Sequence, residues 1–254
     1  MVISFTVEIL KNTPMNTYQR LARSKSTESL DFSKYQSINV SDPLIKIEST
    51  EKMIVEPNWT VPESYEGSVY ADYISEHPNY DGIYVRSELL KRLIAAADSL
   101  PIDYKLIVRA GHRPVEVQKR ILLECAADYK KYKAGVSDEE ALEHARTFVS
   151  DPEITLPPHV CGAAVDVEIL DVSTGELLDF GSKMDDDDER SFLHNPNLTN
   201  KQKENRLTLL IAMLDAGFAS CKAEWCHYSY GDQIWAWFYG KDNSLYSPID
   251  VETK

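Results

Sequence analysis

The chain has 254 residues, of which 43% are apolar and 27% charged, so it can bury a core of its own. That composition excludes a collagen-like chain, a low-complexity chain and a disulfide miniprotein, and no uncharged apolar run approaches the ~18–20 residues of a membrane-spanning helix. A net charge of −14, from 27 basic and 41 acidic residues, repels phosphate backbones and anionic lipid, so neither nucleic acid nor membrane is expected as a partner.

The opening MVISFTVEILKN lacks a basic lead and is interrupted by Glu8, so it does not read as a secretory signal. Four cysteines in a chain of this length do not make a disulfide framework, and a cytoplasmic location is expected. Residues 1–60 are poorly periodic and are expected to form an irregular extension wrapping the domain, with short strands at 2–9 and 44–55. Residues 61–254 are expected to form the catalytic domain.

Ser87 precedes ELLKRLIAAADSL, a helical pattern with Ser87 as its N-cap and Pro101 as its stop. YKLIVRA (104–110) reads as a strand that Gly111 ends. Pro114 suits the first turn of a helix reaching about 133, and Ser137 starts another over about 138–149. LPPHVCG (156–162) is a loop, AAVDVEIL (163–170) alternates as a strand does, and Thr174-Gly175 marks a hairpin turn. Thr199 caps a long helix to about 216, with Leu207, Leu210, Ile211 and Leu214 on its core face and Gly217 as its stop. KAEWCHYSY (222–230) reads as a further strand. The fold class is α+β: a small antiparallel sheet with helices packed on it.

Two of the six histidines stand in unusual company. His159 lies seven residues before Asp166, and His227 three residues after Glu224. A catalytic zinc site takes three ligands from His and Asp/Glu and leaves a position for water; His159, Asp166 and His227 can supply that set. Glu224 is then placed as the carboxylate that deprotonates the water. On ideal strands, residues seven or three apart face opposite sides, so both pairings require a turn or a strand end. A histidine beside an apolar strand also occurs simply as a core residue. Cys161 and Cys226, next to the two histidines, offer a rival structural Cys/His site, although paired ligands there are usually separated by ~2–4 residues. Arg113, where a strand turns into a helix in AGHRP, can aim its planar donors at a carboxylate or a developing oxyanion; it can equally be a surface arginine. The acidic run MDDDDE (184–189) fits a solvated loop, a cation site or an ammonium-binding site.

Taken together and in order, AGHRP, HVCGAAVD, STGELLDFGSKMDDDDERS and EWCHY resemble the motifs of the zinc D-alanyl-D-alanine dipeptidases of the vancomycin-resistance type, whose pattern is GYRP, SxHxxGxAxD, TGEL–GxxFD–DERS and ExWH. The resemblance spans about residues 84–230. It implies a zinc site in a central cleft, with one zinc per chain held by His159, Asp166 and His227. It implies Glu224 as general base and then acid, Arg113 as stabiliser of the tetrahedral intermediate, and Asp185 near the substrate amine. The implied substrate is D-Ala-D-Ala or a related small dipeptide. Pro157 stands where the family has a serine, His112 where it has a tyrosine, and Cys226 where it has a tryptophan. Wall-peptide D,D-carboxypeptidases and L,D-endopeptidases are the alternative on the same scaffold. A non-catalytic zinc module would lack the general base, and Glu224 is present.

Overall fold

The computed structural model describes residues 15–57, 69–184, 186 and 188–251. Strands β1 (Leu44–Lys46) and β3 (Tyr84–Arg86) pair antiparallel as a small ribbon. The main sheet runs β2 (Met53–Val55), β4 (Tyr104–Ala110), β5 (Ala164–Asp171), β8 (His227–Ser229), β7 (Ala219–Ser220), with β6 (Glu176–Leu177) also on β5. The α+β class stands, but the sheet is mixed: β2 adds parallel to β4, while the other pairings are antiparallel. The apolar stretch 44–55 therefore splits into two strands serving different sheets. The strand expected at 2–9 lies outside the described residues.

Seven α-helices are present among the described residues: α1 (Thr17–Ser24), α2 (Val69–Glu76), α3 (Ser87–Ser99), α4 (Val115–Tyr132), α5 (Asp138–Ala145), α6 (Asn200–Asp215) and α7 (Gln233–Phe238). Leu89, Leu93 and Ala97 of α3, and Leu209, Leu210, Met213 and Leu214 of α6, share one core with Leu106 and Val108 of β4, Val165, Val167 and Ile169 of β5, and Tyr228 of β8. Side chains alternate across a strand, so the other face of β5 carries Asp166 and Glu168. These are buried as well. The alternation read in AAVDVEIL is real, but its polar face is covered rather than solvated.

Several expectations shift by a turn or a face. KAEWCHYSY is a strand only over its last part; residues up to Cys226 form a turn leading into β8. The second helix of the 115–145 hairpin stops at Ala145. On α6, Leu207 is exposed, and the buried stripe instead includes Arg206, Leu209 and Met213. Arg206 reaches inward to donate to the carbonyls of Phe180, Arg190 and Phe192, tying α6 to the segment beneath it.

Ser137 and Thr199 cap α5 and α6 as expected, each in a reciprocal box with the residue three positions on. Ser87 does not cap α3; it is the first helical residue. The cap is Asp42, whose Oδ1 accepts the Ser87 amide and hydroxyl and whose Oδ2 accepts the Glu88 amide and the Tyr246 hydroxyl. Beside it, the buried Arg86 donates to the carbonyls of Asp42, Cys161 and Ser247. This clasp joins the N-terminal segment, the 156–162 loop and the C-terminal segment. Residues 15–57 also meet the rest of the chain through Arg20–Asp215 and through Arg23, which donates to the Trp237 carbonyl. Asp42→Ala removes a helix cap and orphans a buried tyrosine hydroxyl, so urea unfolding at neutral pH should show a loss of about 2–4 kcal/mol.

Candidate metal centre

Strand register assembles the site. Ala110 of β4, Asp166 of β5 and His227 of β8 stand in one cross-strand row. The row puts the Asp166 carboxylate beside the His227 ring, with Asp166 Oδ1 3.1 Å from His227 Nδ1. His159 arrives from outside the sheet. Its loop winds tightly: Cys161 N–H donates to Pro157 O, Gly162 N–H to His159 O and Ala163 N–H to Pro158 O. Gly162 sits at φ +64°, where a Cβ would lie 2.5 Å from Leu44, so any other residue would strain this turn into β5. The loop removes the parity conflict between positions 159 and 166.

The three side chains converge. His159 Nε2 lies 3.3 Å from Asp166 Oδ2 and 3.2 Å from His227 Nδ1. Four-coordinate zinc with ligand bonds of ~2.0–2.1 Å separates its ligand atoms by about 3.3 Å, so these spacings fit such an ion. The outer nitrogens fix the tautomers. His159 Nδ1 is 2.7 Å from the Gly111 carbonyl, which can only accept, so Nδ1 carries the proton and Nε2 turns its lone pair inward. His227 Nε2 is 3.2 Å from Ser229 Oγ, leaving Nδ1 inward. All three residues are buried, and they form the one candidate metal cluster among the described residues.

Glu224 lies in the turn before β8, with Oε2 3.7 Å from His227 Nδ1 and its side chain 55% exposed. The turn is pinned by its neighbour Trp225, which is buried, stacks on Phe180 at 4.1 Å, and donates its amide to Ser191 O. Trp225 is thus core, and Glu224 projects at the rim. Arg113 sits next to the site through its amide, which donates to His159 O at 3.0 Å. Its guanidinium donates to Tyr70 Oη and Gln118 Oε1, both at 2.9 Å. Asp185 lies outside the described residues. Cys161 and Cys226 are buried in the core and join no metal cluster among the described residues. His112 packs at 1% exposure, where burial pushes its pKa down to about 4, and its Nε2 donates to Ile249 O.

The supporting partners Gly111, Tyr70, Gln118 and Ser229 were not visible in the sequence reading. Ser229 carried a signal: two positions along a strand from His227, it shares that residue's face.

The model of the M15 peptidase family, described as D-Ala-D-Ala dipeptidase, matches residues 81–244, which include every one of these site residues except Tyr70. The chain belongs to this family. A D-alanyl-D-alanine dipeptidase of Synechocystis sp. is 30% identical over 205 residues, covering 71% of this chain and 80% of its own. Dipeptidases of the same name from Enterococcus faecium and Enterococcus faecalis are 35% and 28% identical, over 58% and 52% of this chain and 72% and 65% of theirs. Two solved structures of a vancomycin-resistance VanY D,D-peptidase, one with Zn(II) and one with D-Ala-D-Ala, are 21% identical. They cover 65% of this chain and 83% and 82% of their own, at TM-scores of 0.37 and 0.38.

Without a metal, the site supplies its own positive charge. Burial opposes an imidazolium at His227, but the adjoining Asp166 carboxylate pushes its pKa up to about 9. Burial likewise opposes the Asp166 anion, yet the two imidazoles hold its pKa well below the usual range. A group raised in the folded state stabilises fully below its unfolded value. The His227 contribution to the metal-free protein should therefore be complete below the ordinary imidazole value of 6.5 and lost as pH climbs through about 9. A divalent cation must displace that proton, so its apparent affinity should rise over the same interval. Chelator competition across this range checks it; a flat affinity profile would contradict the proton count.

Proposed function

We propose that this chain is a zinc peptidase that hydrolyses a free dipeptide, D-Ala-D-Ala or a close relative, in a cleft on the polar face of the sheet. The observation that carries this reading is the trio of inward-facing ligand atoms separated by 3.1–3.3 Å with a rim carboxylate 3.7 Å from one of them. Two imidazole nitrogens and one carboxylate oxygen suit zinc, and family membership supports the substrate class. His159, Asp166 and His227 would hold the ion. Bound there, zinc lowers the pKa of a water ligand to about 7 and polarises the scissile carbonyl.

The chain's own residues do the rest. Glu224 takes the proton of the attacking water on a carboxylate oxygen and delivers it to the leaving amine nitrogen. Its exposed position on a turn leaves it room for both acts. Arg113, held by Tyr70 and Gln118, presents donors to the oxyanion. Asp185 is proposed, on the resemblance alone, to pair with the substrate ammonium, which favours free dipeptides over acylated chains. Residues 1–60 are proposed as an extension on a catalytic domain of 61–254. No helix is long and apolar enough to cross a membrane among the described residues. The four cysteines are free, and a cytoplasmic location is proposed on the sequence reading alone.

Purified protein should hold about one zinc per chain. Glu224→Ala should keep that zinc and lose nearly all turnover of D-Ala-D-Ala; loss of the metal instead would make Glu224 a ligand. Arg113→Ala should lower kcat by about two to three decades, or ~2.7–4 kcal/mol, with a smaller change in KM. Arg113→Lys should recover part of it. Assaying D-Ala-D-Ala beside its N-acetylated form and L-Ala-L-Ala decides the substrate class: equal turnover of the acetylated peptide would favour a wall-peptide carboxypeptidase.

A further inference from the structure

The loop that carries His159 is held from two directions. The turn at 111–113 holds it through the Gly111 carbonyl, which accepts His159 Nδ1–H at 2.7 Å, and through the Arg113 amide, which donates to His159 O at 3.0 Å. The C-terminal segment holds it as well. The Ile249 amide donates to Val160 O at 3.1 Å. Arg86 donates from Nε to Cys161 O and from Nη2 to Ser247 O, each at 2.8 Å. Residues 247–249 therefore lie along the loop as a strap.

His112 closes the circuit. It stands between Gly111 and Arg113, and its Nε2 lies 2.6 Å from the Ile249 carbonyl. A carbonyl can only accept, so Nε2 carries the proton and donates it. Ile249 thus spends its amide on the ligand loop and its carbonyl on the turn that grips the same loop. His112 and Val160 are buried, so water does not compete for these bonds. His112 stands where the family pattern has tyrosine, and residues 247–249 lie past residue 244, where the family match ends. We propose that His112 and Ile249 are positioning residues for His159: the strap fixes the loop against the 111–113 turn and so holds His159 Nε2 toward Asp166 and His227. Without the strap the loop would sample more conformations, and metal binding would have to order it. The competing account is that His112 and the strap fill the core and nothing more.

The consequence for metal rests on the zinc reading of the preceding subsection; the geometry does not. Two measurements on the full chain keep them apart. The first is amide hydrogen exchange of the metal-free protein, comparing the Arg113 and Gly162 amides, which both donate to His159 O, with the Val167 amide of β5, which donates to Cys226 O. The second is zinc affinity by competition with a chromophoric chelator. His112→Phe fills the same space without the donor. It should speed exchange at Arg113 and Gly162 about three- to tenfold more than at Val167, and weaken zinc by a similar factor, the size of one lost hydrogen bond. His112→Gln, which can place a donor near the same carbonyl, should restore most of both. Ile249→Pro removes the amide at the other end of the strap and should act in the same direction. The double variant should be little worse than the worse single one, because both open one circuit. A core-filling role predicts that all three amides speed up alike and that the folded chain keeps native zinc affinity; that result in His112→Phe would overturn the proposal. If the native chain binds no zinc, the metal reading fails, and the exchange comparison still decides whether the strap holds the loop.

Discussion

A carboxylate buried between two imidazoles is the constraint on which the rest of the structure depends. Asp166 has lost its water, and an isolated anion in that position would be strongly unfavourable. It is tolerated because His159 and His227 stand within 3.1–3.3 Å of it and hold its pKa low against the cost of burial. Strand pairing fixes Asp166 opposite His227, and a loop wound on its own backbone delivers His159. The carbonyl of Gly111 then sets which His159 nitrogen looks inward. The row of backbone pairings Ala110–Asp166–His227 is thus a structural and an electrostatic device at once.

The sheet separates packing from chemistry. One face of β4 and β5 carries Leu106, Val108, Val165, Val167 and Ile169 against α3 and α6. The other carries Asp166 and Glu168, and there polar groups are satisfied by one another rather than by water. Where β4 bulges between Val108 and Ala110, Arg109 pairs with both Glu168 and Glu56, so the second acidic residue of the face is neutralised locally. This leaves Asp166 as the carboxylate of that face directed to the two histidines. The three converging side chains are buried, while Glu224 stands exposed on a turn anchored by its buried neighbour Trp225.

Legibility in the sequence followed the range of each signal. The strand at 104–110 and the caps at Ser137 and Thr199 were readable because each rests on residues within a few positions. The cap of α3 is not legible beside Ser87, because its acceptor, Asp42, lies 45 positions earlier. Leu207 was placed on the core face of α6 because apolar periodicity does not reveal that Arg206 turns inward to three carbonyls. The strand 222–230 was overextended because the apolar Trp225 and Cys226 are buried in a turn as well as they would be in a strand. The mixed sheet was missed because parallel pairing of β2 with β4 leaves no mark in the composition of three residues.

By itself, the sequence determined the candidate donor types, their order, and a set of motifs specific enough to indicate the family, since donor chemistry is a property of the side chains. It left open whether residues seven and three apart could meet, because on a regular strand they cannot. Only the tertiary structure decided that, through the tight loop at 156–162, the turn before β8 and the register of three strands. It also supplied what no local pattern encodes: the Gly111 carbonyl behind His159, and Tyr70 and Gln118 behind Arg113. These partners are backbone atoms or residues on separately folded elements, and their proximity exists only once the core has brought the elements together.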